Sequence, residues 1–356
     1  MLAALNHIPR EQVAVVAFSP VGGPLRAELQ SQQIPWIPWP DAILNRNSPH
    51  WKRTWIAWLR DIAANFRLHL LHANSLTMSR RLGLAASELT CRTTGHVRDI
   101  MKLSPGAIRE LNQHVQLVAV SHAVRQSLLE QGMEKNRVQT IYNGIDPQRF
   151  HPAPRIGWLR RELGLSQDVQ LAATIGQICL RKGQDDLAAC AVLLRDRFPQ
   201  LHFLLVGQRH SLKAESIEFD QAISETFRAA RMEDRLHRLH FRHDIPEILN
   251  EIDLLIHPAR QEPLGRVLLE AAACGVPMVA TSVGGTPEIL THQETGWLVP
   301  AADPAALAMG VAALLDHPEH GQSLGDAAAS MVVTRFPVSA AAKSLKLFWQ
   351  MQENRD

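Results

Sequence analysis

The chain has 356 residues, 46% hydrophobic and 20% charged, which suits two domains of about 150 residues or more rather than a single one. No cleavable apolar leader and no run near the roughly 18 apolar residues of a membrane span is present, so a cytoplasmic protein is expected. The formal net charge is +2, but residues 1–150 hold 17 Lys+Arg against 10 Asp+Glu and residues 151–356 hold 20 against 25, an excess too dilute to argue for nucleic acid.

In chain order, Met1–Ile8 reads as a helix, Val13–Phe18 as a strand, and Gly22-Gly23 as a turn leading to a short helix and the strand IPWIPW, Ile34–Trp39. Trp51, Trp55 and Trp58 share one helical face, a pattern that suits core and also suits contact with a membrane or an acyl acceptor. Leu68–His72, the strand ending in RTTGHVRDI, Leu117–Ser121 and Val138–Tyr142 follow, with Ser121 placed to cap the next helix. Asn143-Gly144, Asp146-Pro147, Pro152 and Pro154 forbid a continuous element, so a linker is placed at 144–156. Beyond it, Val169–Ile175, His202–Val206, Ile252–His257 and Pro277–Thr281 are further apolar, β-rich runs between helical patterns. Such alternation predicts parallel sheets in an α/β fold, with ligands beyond the carboxyl ends of the strands.

Two clusters invite misreading. His237, His240 and His243 lie three apart in HRLHFRH, but strand alternation splits them between faces and nothing completes a metal site. Cys91, Cys179, Cys190 and Cys274 lack CxxC spacing and read as reduced, buried thiols.

Chemistry concentrates in three segments. In QEPLGRVLLEAAACGVP, Gln261–Pro277, a loop feeds a buried helix, and Glu262 and Glu270 bracket Gly265. Two carboxylates in so apolar a run need hydroxyl, amide or cationic partners, and the first turn of that helix offers free N–H groups to a phosphate. In TIGQICLRKGQDDLAAC, Arg181 and Lys182 sit where a helix opens, a position that disfavours cations. Either Asp185 and Asp186 compensate them or an anion is expected there. TSVGGTPEIL follows a strand with a glycine pair, Pro287 at the first helical position and Glu288 in the first turn.

These segments resemble the retaining glycosyltransferases of the GT-B fold, family 4, whose E-x7-E signature matches Glu262, Gly265 and Glu270. QLVAVSHAVRQSLLEQGMEKNRVQTIYNGIDPQRF, Gln116–Phe150, is similar to that family's last N-domain strand and interdomain hinge. The resemblance implies two doubly wound Rossmann-like domains, an acceptor-side one over 1–150 and a donor-binding one over 151–335, with 336–356 as a helix packing back on the first. It also implies that the family's first strand is lacking here, because Met1–Ile8 already matches its first helix. The reaction implied is transfer of a hexose or related sugar from a nucleoside diphosphate sugar to a hydroxyl acceptor, lipid-linked acceptors included, in cell-envelope polysaccharide or glycoconjugate synthesis. No metal or other cofactor is implied. Peripheral contact of the basic half with the inner membrane surface is compatible with it, as is a phosphorylated acceptor. By the same resemblance Glu262 contacts the donor sugar, Arg181 and Lys182 neutralise the departing diphosphate, and His96 lines the acceptor side. Gly176, Gly265, Arg266, Glu270 and Glu288 complete the donor site. A sugar-nucleotide 2-epimerase or a non-catalytic nucleotide-sugar-binding relative would share the fold.

Overall fold

The computed structural model describes residues 1–44 and 49–353, arranged in two compact units: Met1–Gly144 together with the segment from Val338, and Ile145–Pro337. Among the described residues no helix is long and apolar enough to cross a membrane.

The first unit holds two parallel sheets. A two-stranded one pairs β1 (Ala17–Ser19) with β2 (Trp36–Pro38), and a four-stranded one has the order β3 (Leu70–Ala73), β4 (Arg92–Val97), β5 (Gln116–Ala119), β6 (Val138–Thr140). β1 is shorter and later than the expected Val13–Phe18. Its partner carries Pro35 and Pro38, which lack the ladder N–H, so only three residues pair, and Val13 and Val15 pack into the core instead. The expected first helix is realised as Leu2–Leu5. The three helices that follow β3, β4 and β5 begin on serines, with Ser75, Ser104 and Ser121 accepting from the N–H groups of Met78, Ala107 and Val124. Each such cap contributes about 1 kcal/mol.

Both faces of the four-stranded sheet are covered. Ala342, Leu345, Phe348 and Trp349 of the helix Val338–Glu353 form one core with Ala4, Leu5, Ile8, Val118 and Ile141. Trp39, Trp55, Ile56 and Leu59 form another with Leu71, Ala73 and Leu82. The tryptophan stripe therefore belongs to the core: Trp55 is buried and packs edge-to-face on Trp39 at 5.8 Å, while Trp51 and Trp58 are half-buried.

The second unit is a six-stranded parallel sheet of order β12-β11-β10-β7-β8-β9: β7 is Gln170–Ile175, β8 Leu201–Val206, β9 Leu236–Leu239, β10 Leu254–His257, β11 Met278–Thr281 and β12 Trp297–Val299. The order reverses direction at β7, whose neighbours are β8 and β10, so a crevice opens beyond the carboxyl ends of β7 and β10. His237 lies on β9 and stacks on His202 of β8, its Nε2 2.8 Å from His202 Nδ1, while His240 and His243 lie outside the strand. All four cysteines are free, but only Cys91, Cys190 and Cys274 are buried; Cys179 is half-buried because it lies in the loop beyond the carboxyl end of β7 rather than in the sheet.

At the opposite end of this sheet the start of the unit is locked by a buried arginine. Arg160, 2% exposed, donates to Val169 O at 2.9 Å, to Glu251 O at 2.8 Å and to Asp253 Oδ2 at 2.6 Å. Glu251 Oε1 in turn accepts from the N–H groups of Ile156 and Gly157. Removing one partner of a buried pair strands the other, so Arg160→Met is expected to destabilise this unit by about 3–5 kcal/mol. Urea unfolding followed by the fluorescence of Trp158 and Trp297 checks it, and an unmoved midpoint would contradict the role given to Arg160.

Candidate functional site in the second unit

The crevice is built from the loops after β7, β10 and β11, and glycines let them touch. After β7, Gly176 (φ +146°) donates to Val206 O, then a single tight turn, Leu180–Lys182, carries the cation pair. Gly183 (φ +62°) opens the helix Gln184–Leu194 and lies so close to Pro258 O that a Cβ would come within 2.1 Å of it. The N–H groups of Arg260 and Gln261 both donate to Arg181 O, at 2.9 and 3.2 Å. From the loop after β11, Gly285 donates to Glu262 O at 2.9 Å and abuts Pro263 O.

This stitching decides which charges pair. Asp185 and Asp186 do not compensate their neighbours in sequence: Arg260 takes both, at 2.7 Å each. Lys182 reaches across to Glu262, Nζ to Oε2 2.6 Å, and Arg181 is exposed with no carboxylate partner among the described residues. His257, the last residue of β10, meets the same oxygen, Nε2 to Glu262 Oε2 2.9 Å. Glu262 is 5% exposed and His257 2%. Burial alone would raise the carboxyl's pKa, but the hydrogen bond from His257 and the charge and hydrogen bond of Lys182 outweigh it and hold Glu262 well below the carboxylate range. Burial and the Lys182 charge lower His257 below its ordinary 6.5, against the pull of Glu262, so its imidazole is neutral near pH 7 and donates from Nε2.

Glu262 itself is not helical. Pro263 and Gly265 (φ +97°) end the loop, and the helix runs Arg266–Ala273 with Gly265 at its N-cap and no side-chain cap. With no side-chain cap, the first N–H groups of this helix are left to an anion or to solvent. Glu270, buried, is bound through Oε1 to the largely exposed Arg266 at 2.8 Å. Glu288 is half-buried in the short helix Thr286–Ile289, and its carbonyl accepts from Arg335 at 3.4 Å.

His96 belongs to the other unit, on β4, 2% exposed. Its Nδ1 lies 3.3 Å from Arg98 Nη2, which also donates to Asn74 Oδ1. A guanidinium only donates, so Nδ1 accepts and the proton sits on Nε2, a buried donor without a partner among the described residues. Burial first, then the charge of Arg98, holds this imidazole neutral. Beside it, ring centroids 6.0 Å apart, His72 of β3 has Nδ1 against Thr94 Oγ1 (2.9 Å) and the indole N–H of Trp349 (3.3 Å). Spacing did not single out His72 or His257. The available signal was the same in both, a histidine closing an apolar strand, LLHA and LLIHP.

The chain matches two family models: Glycosyltransferase Family 4 over residues 2–149 and Glycosyl transferases group 1 over 158–331. It is 30% identical over 253 residues to the N-acetyl-alpha-D-glucosaminyl L-malate synthase of Bacillus anthracis, covering 68% of this chain and 63% of the relative. To an alpha-maltose-1-phosphate synthase of Mycobacterium tuberculosis it is 32% identical over 234 residues, 62% and 59% of the two chains. The matches thus span less than two thirds of these relatives' lengths. Among solved structures, the Anabaena HepE protein in complex with UDP-glucose superposes with a TM-score of 0.85 at 22% identity, covering 98% of this chain and 95% of that one. A glycosyltransferase of Rickettsia africae gives 0.85 at 18% identity, with 99% and 95% covered. Two Rossmann-like units with parallel sheets define the GT-B class of fold. The chain belongs to the family 4 glycosyltransferases.

Burial in the first unit carries a pH signature. His72 is held from 6.5 down to about 3, by burial first and then by the charge of Arg98. Between those values the unfolded chain binds a proton that the folded one does not. This contribution is therefore complete above pH 6.5 and drains as pH falls toward 3, at up to about 1.4 kcal/mol per pH unit. His72→Phe is expected to flatten the dependence of melting temperature on pH over that window, and parallel wild-type and variant curves would refute it.

Proposed function

We propose that the chain transfers a sugar from a nucleoside diphosphate sugar to a hydroxyl acceptor, with retention at the anomeric carbon and without a metal. The observation that carries this is the buried, ionised Glu262, held by Lys182 and His257 beside the uncompensated Arg181 and the open N-terminus of helix Arg266–Ala273. Breaking the bond between the sugar's anomeric carbon and the β-phosphate oxygen leaves negative charge on the diphosphate. Arg181, Lys182 and the N–H groups at that helix start favour the charge as it develops. The acceptor oxygen bonds to the anomeric carbon on the same face, and its proton passes to the leaving phosphate oxygen. Glu262 Oε1, without a hydrogen bond among the described residues, is available to the donor sugar's hydroxyls. Glu270 Oε2 is available to the ribose. Gly176 and Gly265 leave room for the ligand near the backbone, with Glu288 at the margin of the loop after β11. On the first unit, His96 offers a neutral N–H to a hydroxyl oxygen. Lipid-linked acceptors and peripheral contact with the cytoplasmic membrane face fit the positive charge of residues 1–150.

A thermal-shift panel of UDP-, GDP- and ADP-sugars, beginning with UDP-glucose, tests the donor site. One donor is expected to stabilise the wild type and to lose that effect in Arg181→Ala. Lys182→Ala and Glu262→Ala are expected to lower transfer about a hundredfold or more, the scale of lost transition-state electrostatics. Unchanged turnover in either well-folded variant would reject the assignment.

A further inference from the structure

The proposed function sets Lys182 two tasks. It pairs with Glu262 at 2.6 Å, and the reaction needs it against a diphosphate. An ammonium on a flexible stem serves such a change of partner, but a buried carboxylate left by its cation is costly and free to turn. We propose that His257 is the positioning residue that keeps Glu262 oriented and ionised while Lys182 moves to the phosphate. The inference rests on the proposed transfer reaction.

The geometry is specific. His257 and Lys182 meet one oxygen, Oε2, and leave Oε1 facing away from both. The imidazole is the rigid member of the two. It closes β10 and pairs in register with Ala280 of β11, and Thr281 Oγ1, 3.4 Å from its carbonyl, donates to Ala259 O. Of the four residues between His257 and Glu262, Arg260 and Gln261 are fixed by their N–H bonds to Arg181 O. The charged groups facing this pair are Lys182 and Arg181 from the loop after β7. Burial first, and then these two cations, keep the imidazole neutral, so it gives Glu262 a hydrogen bond that needs no counter-charge. No proton transfer is assigned to His257.

Two amides of different reach test this. The glutamine N–H can occupy the place of Nε2, whereas that of asparagine falls short. In full-length protein, His257→Gln is expected to keep the larger part of the transfer rate. His257→Asn is expected to lose about tenfold or more in kcat, the scale of one hydrogen bond to a charged group. Donor-dependent thermal stabilisation should persist in both variants, since Arg181 and Lys182 are intact. Equal behaviour of the two variants, whether both resemble wild type or both fail, would overturn the role of His257. Absence of turnover and of donor stabilisation in the wild type would instead reject the transfer reaction itself.

Discussion

The second unit is organised around one electrostatic constraint, an ionised carboxylate in a nearly dry place. Unpaired, Glu262 would cost several kcal/mol and would take up a proton. It stays charged because two donors reach one of its oxygens, and each must be delivered there by a different strand end. That requirement explains why the loops after β7 and β10 pack backbone to backbone. A side chain at Gly183 would strike Pro258 O and force these two loops apart.

The same constraint accounts for Arg260. Two aspartates at the start of helix Gln184–Leu194 suit its dipole, and on sequence proximity alone they would neutralise Arg181 and Lys182. Arg260 removes them from that exchange by binding both while its own N–H holds Arg181 O. Burial raises the Asp186 pKa even with the arginine pulling it down. The outcome is a division of labour among four cations. Arg260 serves the fold, Arg266 serves Glu270, Lys182 serves Glu262, and Arg181 is left facing outward.

Much of the α/β pattern was legible because buried parallel strands are uninterrupted apolar runs. β7, β10 and β11 lie within stretches that periodicity marks, and β5 and β8 begin one residue before theirs. β12 was not marked, since WLV is three residues between Gly296 and Pro300 and owes its extension to pairing with β11. β1 was misplaced because strand propensity at Val13 and Val15 counts for nothing without a partner backbone. Within the candidate site, the types Arg-Lys and Glu-x7-Glu stood out from their apolar surroundings. Their pairing did not, since Lys182 and Glu262 are 80 positions apart and only the closeness of two loops joins them. His257 and His72 stayed hidden for a related reason: a lone histidine at a strand end has many possible partners, and only three-dimensional neighbours choose among them.

The helix Val338–Glu353 lies in the first unit although the whole of the second unit separates it from the rest of that unit. Phe348 and Trp349 fill a core that they share with Ala4, Leu5, Val118 and Ile141, all from the first 141 residues of the chain. During synthesis the ribosome therefore finishes the second unit while the first still exposes an uncovered sheet face. The unit made first is completed last, and until residues 338–353 emerge the nascent chain carries an apolar surface that chaperones can recognise.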